Sequence, residues 1–341
     1  MAEKVRVGMI GCGGIARGHA ARLIKNPDAE IVALADPSEE SIARLKEFIQ
    51  AGHGGLDEQQ KKALDNVPVF KDYREMLDKV EMDAVEIATP HTLHFEQAME
   101  SINRGLHVCL EKPMVCCVEH ANKLIANAEE KKRIIVVSYQ RHYQPQYRYI
   151  KKVVDEGGIG KVTFVSALQC QNWKKGTAGK WRQVPELSGG GQLNDSGSHL
   201  IDIILWTTGL AVEEVFAYID NCGTPVDINS ALALKFKESA QGTVSIVGDA
   251  PTFYEDFTIW GEEGILFYRN GQLSQCGADG KIFQPEDLPP ASDPDTNFVD
   301  AILGRDKVWA PPICGLRVIE LTEAAWKSAE KGCAVPVGSL G

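Results

Sequence analysis

Three polar side chains have the types and setting for acid–base chemistry: Lys112, Asp195 and His199. Asp195 and His199 stand four apart in SGGGQLNDSGSHLIDIILW, residues 188–206. The apolar IDIILW predicts a helix from about Ser196, which sets the two near one face of its first turns. A carboxylate beside an imidazole can hold a hydroxyl and remove its proton while a hydride leaves the same carbon. Lys112, in EKP, follows a strand-like run. An ammonium there can hydrogen-bond a reacting oxygen or lower the pKa of a neighbouring acid. On spacing alone, plain structural readings stand beside these: Asp195 as a helix cap with His199 satisfied nearby, and Lys112 exposed in a turn. Asp195, His199 and Asp202 also have the spacing of a ligand helix. No further ligand set accompanies them and no CxxC pair occurs, so no metal is expected.

The first half alternates strand-like and helix-like runs. VRVGMIG, AEIVALAD, DAVEIATP, HVCLEKP and IIVVSYQ read as strands. ARGHAARLIKN, SEESIARLKEFIQA (with Ser38 as N-cap), HTLHFEQAMESINRG and VEHANKLIANAEEKK read as helices. Apolar strands alternating with helices predict a doubly wound parallel sheet, with ligands beyond the strands' carboxyl ends. Gly11-Cys12-Gly13-Gly14-Ile15-Ala16 fits G-x-G-x-x-G/A between the first strand and the first helix. Gly11 permits the tight turn, Gly13 admits a pyrophosphate, and Ala16 allows close helix–strand packing. The helix N-terminus offers free N–H groups and partial positive charge to phosphates. Asp36 follows Ala16 by twenty residues, at the end of the second strand. Its carboxylate suits ribose hydroxyls and repels a 2′-phosphate, so NAD is expected over NADP.

The second half carries strand-like runs such as KVTFVSALQCQNW, INSALALKFKES and AQGTVSIVGDA. The alternation in ALALKFK suits an antiparallel sheet with two unlike faces. The chain has 341 residues, so two domains are expected. A net charge of −11 argues against a nucleic-acid partner. No apolar run is long enough to span a membrane, and the opening apolar run reads as a strand rather than a signal peptide. Nine irregularly spaced cysteines read as reduced cytoplasmic thiols. Residues 51–66 form an unusually long connection, with room for an extra helix.

Taken in order, GCGGIARGH, LAD, DAVEIATPHTLHFEQAMESINRGLHVCLEKP, GGGQLNDSGSHLID, GEEGIL and AAWKSAEKGCAVPV resemble the Gfo/Idh/MocA oxidoreductases over nearly the full length. The resemblance implies a Rossmann domain over 1–137 and an α/β domain over 138–341, built on an open, mostly antiparallel sheet that holds substrate. It implies Lys112 as the lysine that contacts substrate and tunes proton transfer, His199 as general acid/base and Asp195 as the partner that orients substrate or histidine. For the cofactor it implies Gly11, Gly13, Gly14, Ile15, Ala16 and Asp36, and the loop Thr89, Pro90 and His91 with His94. Glu111 and Lys112, Arg141, and Trp181 with Arg182 complete that set. Trp173, Lys174, Lys180 and Tyr143 are expected to shape the substrate pocket. The implied activity is NAD-dependent oxidation of a secondary alcohol in a sugar, polyol or inositol, by a homodimer or homotetramer. Two alternatives are an NAD-dependent glycosidase working by transient oxidation and elimination, and a cofactor-sensing member without turnover.

Overall fold

The computed structural model describes residues 4–338. The chain divides into two compact units. Among the described residues the first gathers 4–114, 120–138 and 292–312; the second gathers 115–119, 139–291 and 313–338. Neither unit is a single continuous stretch, because a late segment near residue 300 returns to the first.

In the first unit the elements run β1 (Val5–Ile10), α1 (Ala16–Lys25), β2 (Ala29–Ala35), α2 (Glu39–Gln50), β3 (Val69–Phe70), α3 (Tyr73–Lys79), β4 (Ala84–Ile87), α4 (His94–Asn103), β5 (His107–Leu110), α5 (Val118–Lys131) and β6 (Ile135–Val137). The sheet order is β3-β2-β1-β4-β5-β6, and every pairing is parallel. Reversal of strand order at β1/β4 places a switch point directly after the glycine loop. Ser38 caps α2 as expected, accepting from the Ser41 N–H at 3.2 Å. Val7 and Met9 of β1 are fully buried with Ala20 and Leu23 of α1 and Leu45 and Ile49 of α2. The 51–66 connection holds no extra α-helix: it is turns around a single 3₁₀ turn, Gln60–Lys62. Its anchors are Leu56 and Leu64, buried in the same core. Each contributes roughly 1.5–3 kcal/mol, enough to seat a connection whose glycines oppose a helix.

The second unit continues with α6 (Pro145–Asp155), β7 (Val162–Cys170), α7 (Trp173–Gly176), α8 (Pro185–Ser188), α9 (Gly197–Thr208), β8 (Val212–Asp220), β9 (Asn229–Phe236), β10 (Gln241–Val247), β11 (Tyr254–Gly261), β12 (Ile265–Arg269), β13 (Gln272–Cys276) and β14 (Ile282–Phe283). After α10 (Pro294–Ile302), which packs on α1, β5 and β6 of the first unit, the chain ends in α11 (Pro312–Lys331) and β15 (Val335–Pro336). The sheet order is β14-β13-β12-β11-β7-β10-β9-β8-β15. Only β7/β10 pair in parallel; the other neighbours are antiparallel. Burial alternates strictly along β9, as its ALALKFK pattern predicts. Helix α9 packs on β7, and Ser328 of α11 accepts the Ala217 N–H of β8, so helices cover one face. Residues of the other face, such as Tyr218 at 72% exposure, stand in solvent. Gly261, in GEEGIL, lies against the Ile159 carbonyl; a Cβ there would fall 2.0 Å from that oxygen.

Candidate active site

The glycine loop is shaped by backbone. Gly11 has φ +91°, and a Cβ on it would meet the Ala88 carbonyl oxygen at 2.6 Å. Only glycine fits this close crossing of β1 and β4. Gly13 and Gly14 differ, because a Cβ on either would meet nothing within 4 Å. Folding therefore does not require glycine there, whereas a pyrophosphate lying against bare backbone does. No side chain caps the N-terminus of α1 at Ile15, so its first N–H groups are available to an anion. Asp36, at the end of β2, is fixed by two backbone donors: Cys12 N–H to Oδ2 at 2.8 Å and Ser38 N–H to Oδ1 at 2.8 Å. Each oxygen keeps lone-pair capacity for a ribose hydroxyl. These features fit a dinucleotide with free 2′- and 3′-hydroxyls.

Two buried histidines hold the loops at the other end of this half-site. His94, at the start of α4, places Nδ1 2.8 Å from the Pro113 carbonyl and Nε2 3.0 Å from the Thr89 carbonyl. Burial lowers its pKa, so a neutral ring donates to one of the two. His94 thus lies between the Thr89–Pro90–His91 turn and the EKP turn, hydrogen-bonded to one and packed against the other. Thr89 is further held by its hydroxyl on Gln97, at 2.6 Å. Glu111 accepts from His19 Nε2 at 2.9 Å and from the Lys112 N–H at 3.2 Å. Burial alone would raise Glu111, but the hydrogen bond and charge of His19 outweigh it and hold the carboxyl at about 2. An ionised Glu111 is therefore built in.

In the second unit, α9 begins at Gly197, close to the predicted start. Asp195 lies two residues before the first helical residue, and His199 is the third residue of the helix. The Asp195 carboxylate is gripped through Oδ2 by Trp173 Nε1 at 2.8 Å and Arg182 Nε at 2.9 Å. Arg182 also stacks over Trp181, 4.4 Å from its ring centre. Asp195 is 4% exposed, while His199 is half-buried. The Tyr139 ring meets His199 edge-on, 6.2 Å between centres. Trp173 is buried and serves Asp195, Lys174 donates to the Cys222 carbonyl at 2.6 Å, and Lys180 donates to the Gly176 carbonyl at 2.7 Å. Tyr143 is buried at 1% exposure. Arg141 is paired with Glu255 and lies over Tyr147. Lys112 belongs to the first unit, and Asp195, His199, Arg141, Trp181 and Arg182 to the second.

Sequence reading missed Glu86 and Asp295, which meet His19 in the first unit. A lone glutamate inside the otherwise apolar AVEI strand was the available signal. Among the described residues two trios lie close enough to share one ion: His142, Asp202 and Cys314, and His19, Glu86 and Asp295. Asp195 and His199 are in neither. His142 Nε2 is already bound to Asp202 at 2.8 Å.

Comparison with known proteins places both units. Residues 5–139 match the oxidoreductase family with an NAD-binding Rossmann fold, and residues 147–267 match the GFO/IDH/MocA C-terminal domain. D-xylose 1-dehydrogenase (NADP(+)) of Hypocrea jecorina is 30% identical, over 84% of this chain and 78% of its own length. Myo-inositol 2-dehydrogenase of Thermotoga maritima is 25% identical, over 78% of this chain and 75% of its own. A solved levoglucosan dehydrogenase in complex with NADH superimposes with a TM-score of 0.84, at 21% identity, over 99% of this chain and all of that one. The chain belongs to the Gfo/Idh/MocA family of NAD-binding oxidoreductases.

Proposed function

We propose that this protein oxidises a secondary alcohol of a sugar, polyol or inositol with NAD. The observation that carries the cofactor half is the pair Gly13 and Gly14, whose missing Cβ atoms face open space, set before an uncapped helix and beside Asp36. The named relatives, a D-xylose and a myo-inositol dehydrogenase, support the substrate class. NAD, when bound, supplies the hydride acceptor. This chain's residues supply position and proton movement. His199 takes the hydroxyl proton at an imidazole nitrogen. Lys112 holds the reacting oxygen and stabilises its negative charge. Asp195, pinned by Trp173 and Arg182, keeps a fixed negative charge near the start of α9. Glu111 lines the nicotinamide end, with Thr89, Pro90 and His91 along the cofactor. His94 braces that turn from beneath, and the same lysine, aspartate and histidine serve the reverse reduction.

Two further readings accompany this one. The helix-free sheet face carrying Tyr218 pairs with a second copy of the chain, giving a homodimer or homotetramer; light scattering measures it. Nine cysteines without a disulfide suit a reducing cytoplasm. No described helix is long and apolar enough to cross a membrane. The activity is tested by incubating the protein with NAD or NADP against inositols, aldoses and polyols while following reduced-nicotinamide absorbance. Sustained NADH formation with one of these is expected. Turnover with NADP alone overturns the assignment from Asp36.

A further inference from the structure

Behind Glu111 lies a buried set of charges. His19 and Arg22 come from α1, Glu86 from β4, Glu111 from the end of β5 and Asp295 from α10. His19, Glu86 and Asp295 are 0%, 1% and 1% exposed. His19 Nδ1 faces two carboxylates, Glu86 Oε1 at 2.6 Å and Asp295 Oδ1 at 2.8 Å. Its Nε2 reaches Glu111. Arg22 pairs with Asp295, with Asp293 more distant at 3.7 Å. Cys109 of β5 also faces the set, and burial keeps its thiol neutral.

Three carboxylates confront two cations; His19, Glu86 and Asp295 are shut off from water, while Arg22 and Asp293 lie partly exposed at the edge. An imidazole nitrogen carries one proton, and two ionised carboxylates cannot both lean on it at such distances without mutual repulsion. One acid must keep its proton. Asp295 has the Arg22 guanidinium, and Glu111 has His19 and a backbone N–H. Glu86 has His19 as its only paired cation and no backbone donor, and Arg22, committed to Asp295, acts on it only through space, so Glu86 is the neutral acid. Charges then balance: imidazolium and guanidinium against Asp295 and Glu111.

We infer that His19, kept as an imidazolium between neutral Glu86 and ionised Asp295, is a positioning residue for Lys112. Its Nε2–H holds Glu111, whose other oxygen holds the Lys112 N–H. On the far side of the same turn, the buried His94 ring packs against it, Nδ1 2.8 Å from the Pro113 carbonyl. The lysine-bearing turn is thus clamped by two buried histidines, and α10, far along the chain, belongs to the clamp through Asp295. This rests on the dehydrogenase reading for its catalytic consequence, though not for the protonation pattern. A metal ion is the competing occupant. Against it, both ring nitrogens of His19 are engaged and a guanidinium sits in the set.

The test uses His19→Gln, Glu86→Gln and Asp295→Asn in the full chain. For His19→Gln the expected result is NAD affinity near wild type, unchanged KM and kcat reduced roughly tenfold or more. The Lys112 amide exchanges its hydrogen faster. Glu86→Gln, which copies a neutral acid, matches the wild-type melting temperature at about pH 4.5 and exceeds it near neutral pH, whereas Asp295→Asn falls below wild type. Burial pushes Glu86 from 4.5 up to about 8, a shift that His19 opposes and the Asp295 charge reinforces. Stability from Glu86 is therefore full below pH 4.5 and is lost as pH rises through about 8; Glu86→Gln removes that loss. The infrared band of a protonated carboxyl, present in wild type, disappears in Glu86→Gln. Wild-type kcat and Lys112 exchange in a folded His19→Gln would overturn the positioning role. Equal destabilisation by Glu86→Gln and Asp295→Asn, or stoichiometric zinc binding lost in Glu86→Gln, would overturn the protonation pattern. If wild type itself never turns over, the dehydrogenase reading fails. Lys112 exchange in a folded His19→Gln and the infrared band then still decide the inference, and where His19→Gln folds poorly the infrared band and the Glu86→Gln and Asp295→Asn melting temperatures decide the protonation pattern on which it stands.

Discussion

The two units prepare their chemistry in different ways. In the first, the cofactor half-site is mostly backbone: the Gly11 crossing, the bare Gly13 and Gly14, the uncapped N–H groups of α1, and an Asp36 fixed by two backbone donors. In the second, the proposed chemistry would rest on side chains from separate segments: Trp173 and Arg182 converge on Asp195 while His199 stays only half-buried. A backbone site is written locally, because glycine, small residue and acid must recur at set spacings. A side-chain site depends on contacts that only the fold creates.

Several substitutions break or sharpen that contrast. His199→Ala should lower kcat about 10²–10⁴-fold, with the NAD dissociation constant unchanged. Equal losses in both would tie the histidine to the cofactor instead. The glycine loop divides in two. Gly11→Ala forces a side chain onto φ +91° and into the Ala88 carbonyl, so it should cost about 1–3 kcal/mol, read as a lowered melting temperature. Gly13→Val should leave melting unchanged yet weaken NAD binding at least about tenfold, or about 1.4 kcal/mol. Asp36→Ala should move cofactor preference toward NADP by roughly the same factor, measured as the ratio of kcat/KM values. The smallest effect is Ser38→Ala, which loses one cap of α2 and about 1 kcal/mol of stability.

The same contrast explains what was legible in the sequence. The parallel sheet, the nucleotide loop and the Ser38 cap follow from periodicity and short motifs, and the antiparallel sheet from strict alternation in β9. The 51–66 connection was misread as room for a helix: its glycines set turns, and two leucines do the anchoring. Asp195 and His199 were located, but the partners of Asp195 were not, since Trp173 lies 22 positions away and Arg182 lies 13 away. His19 meeting Asp295 spans 276 positions, beyond any local pattern. What sequence did offer there was the anomaly itself, a glutamate in a buried strand, and an anomaly of that kind requires partners.

The most direct measurement is isotopic. The sugar, polyol or inositol that gives the fastest turnover is prepared with deuterium at its carbinol carbon and incubated with NAD. Transfer of the label to the nicotinamide ring, with one labelled NADH accumulating per ketone formed, is the predicted result. Label that stays in the carbohydrate, or that passes through the cofactor and returns while a glycosidic bond is cleaved and no NADH builds up, would contradict it.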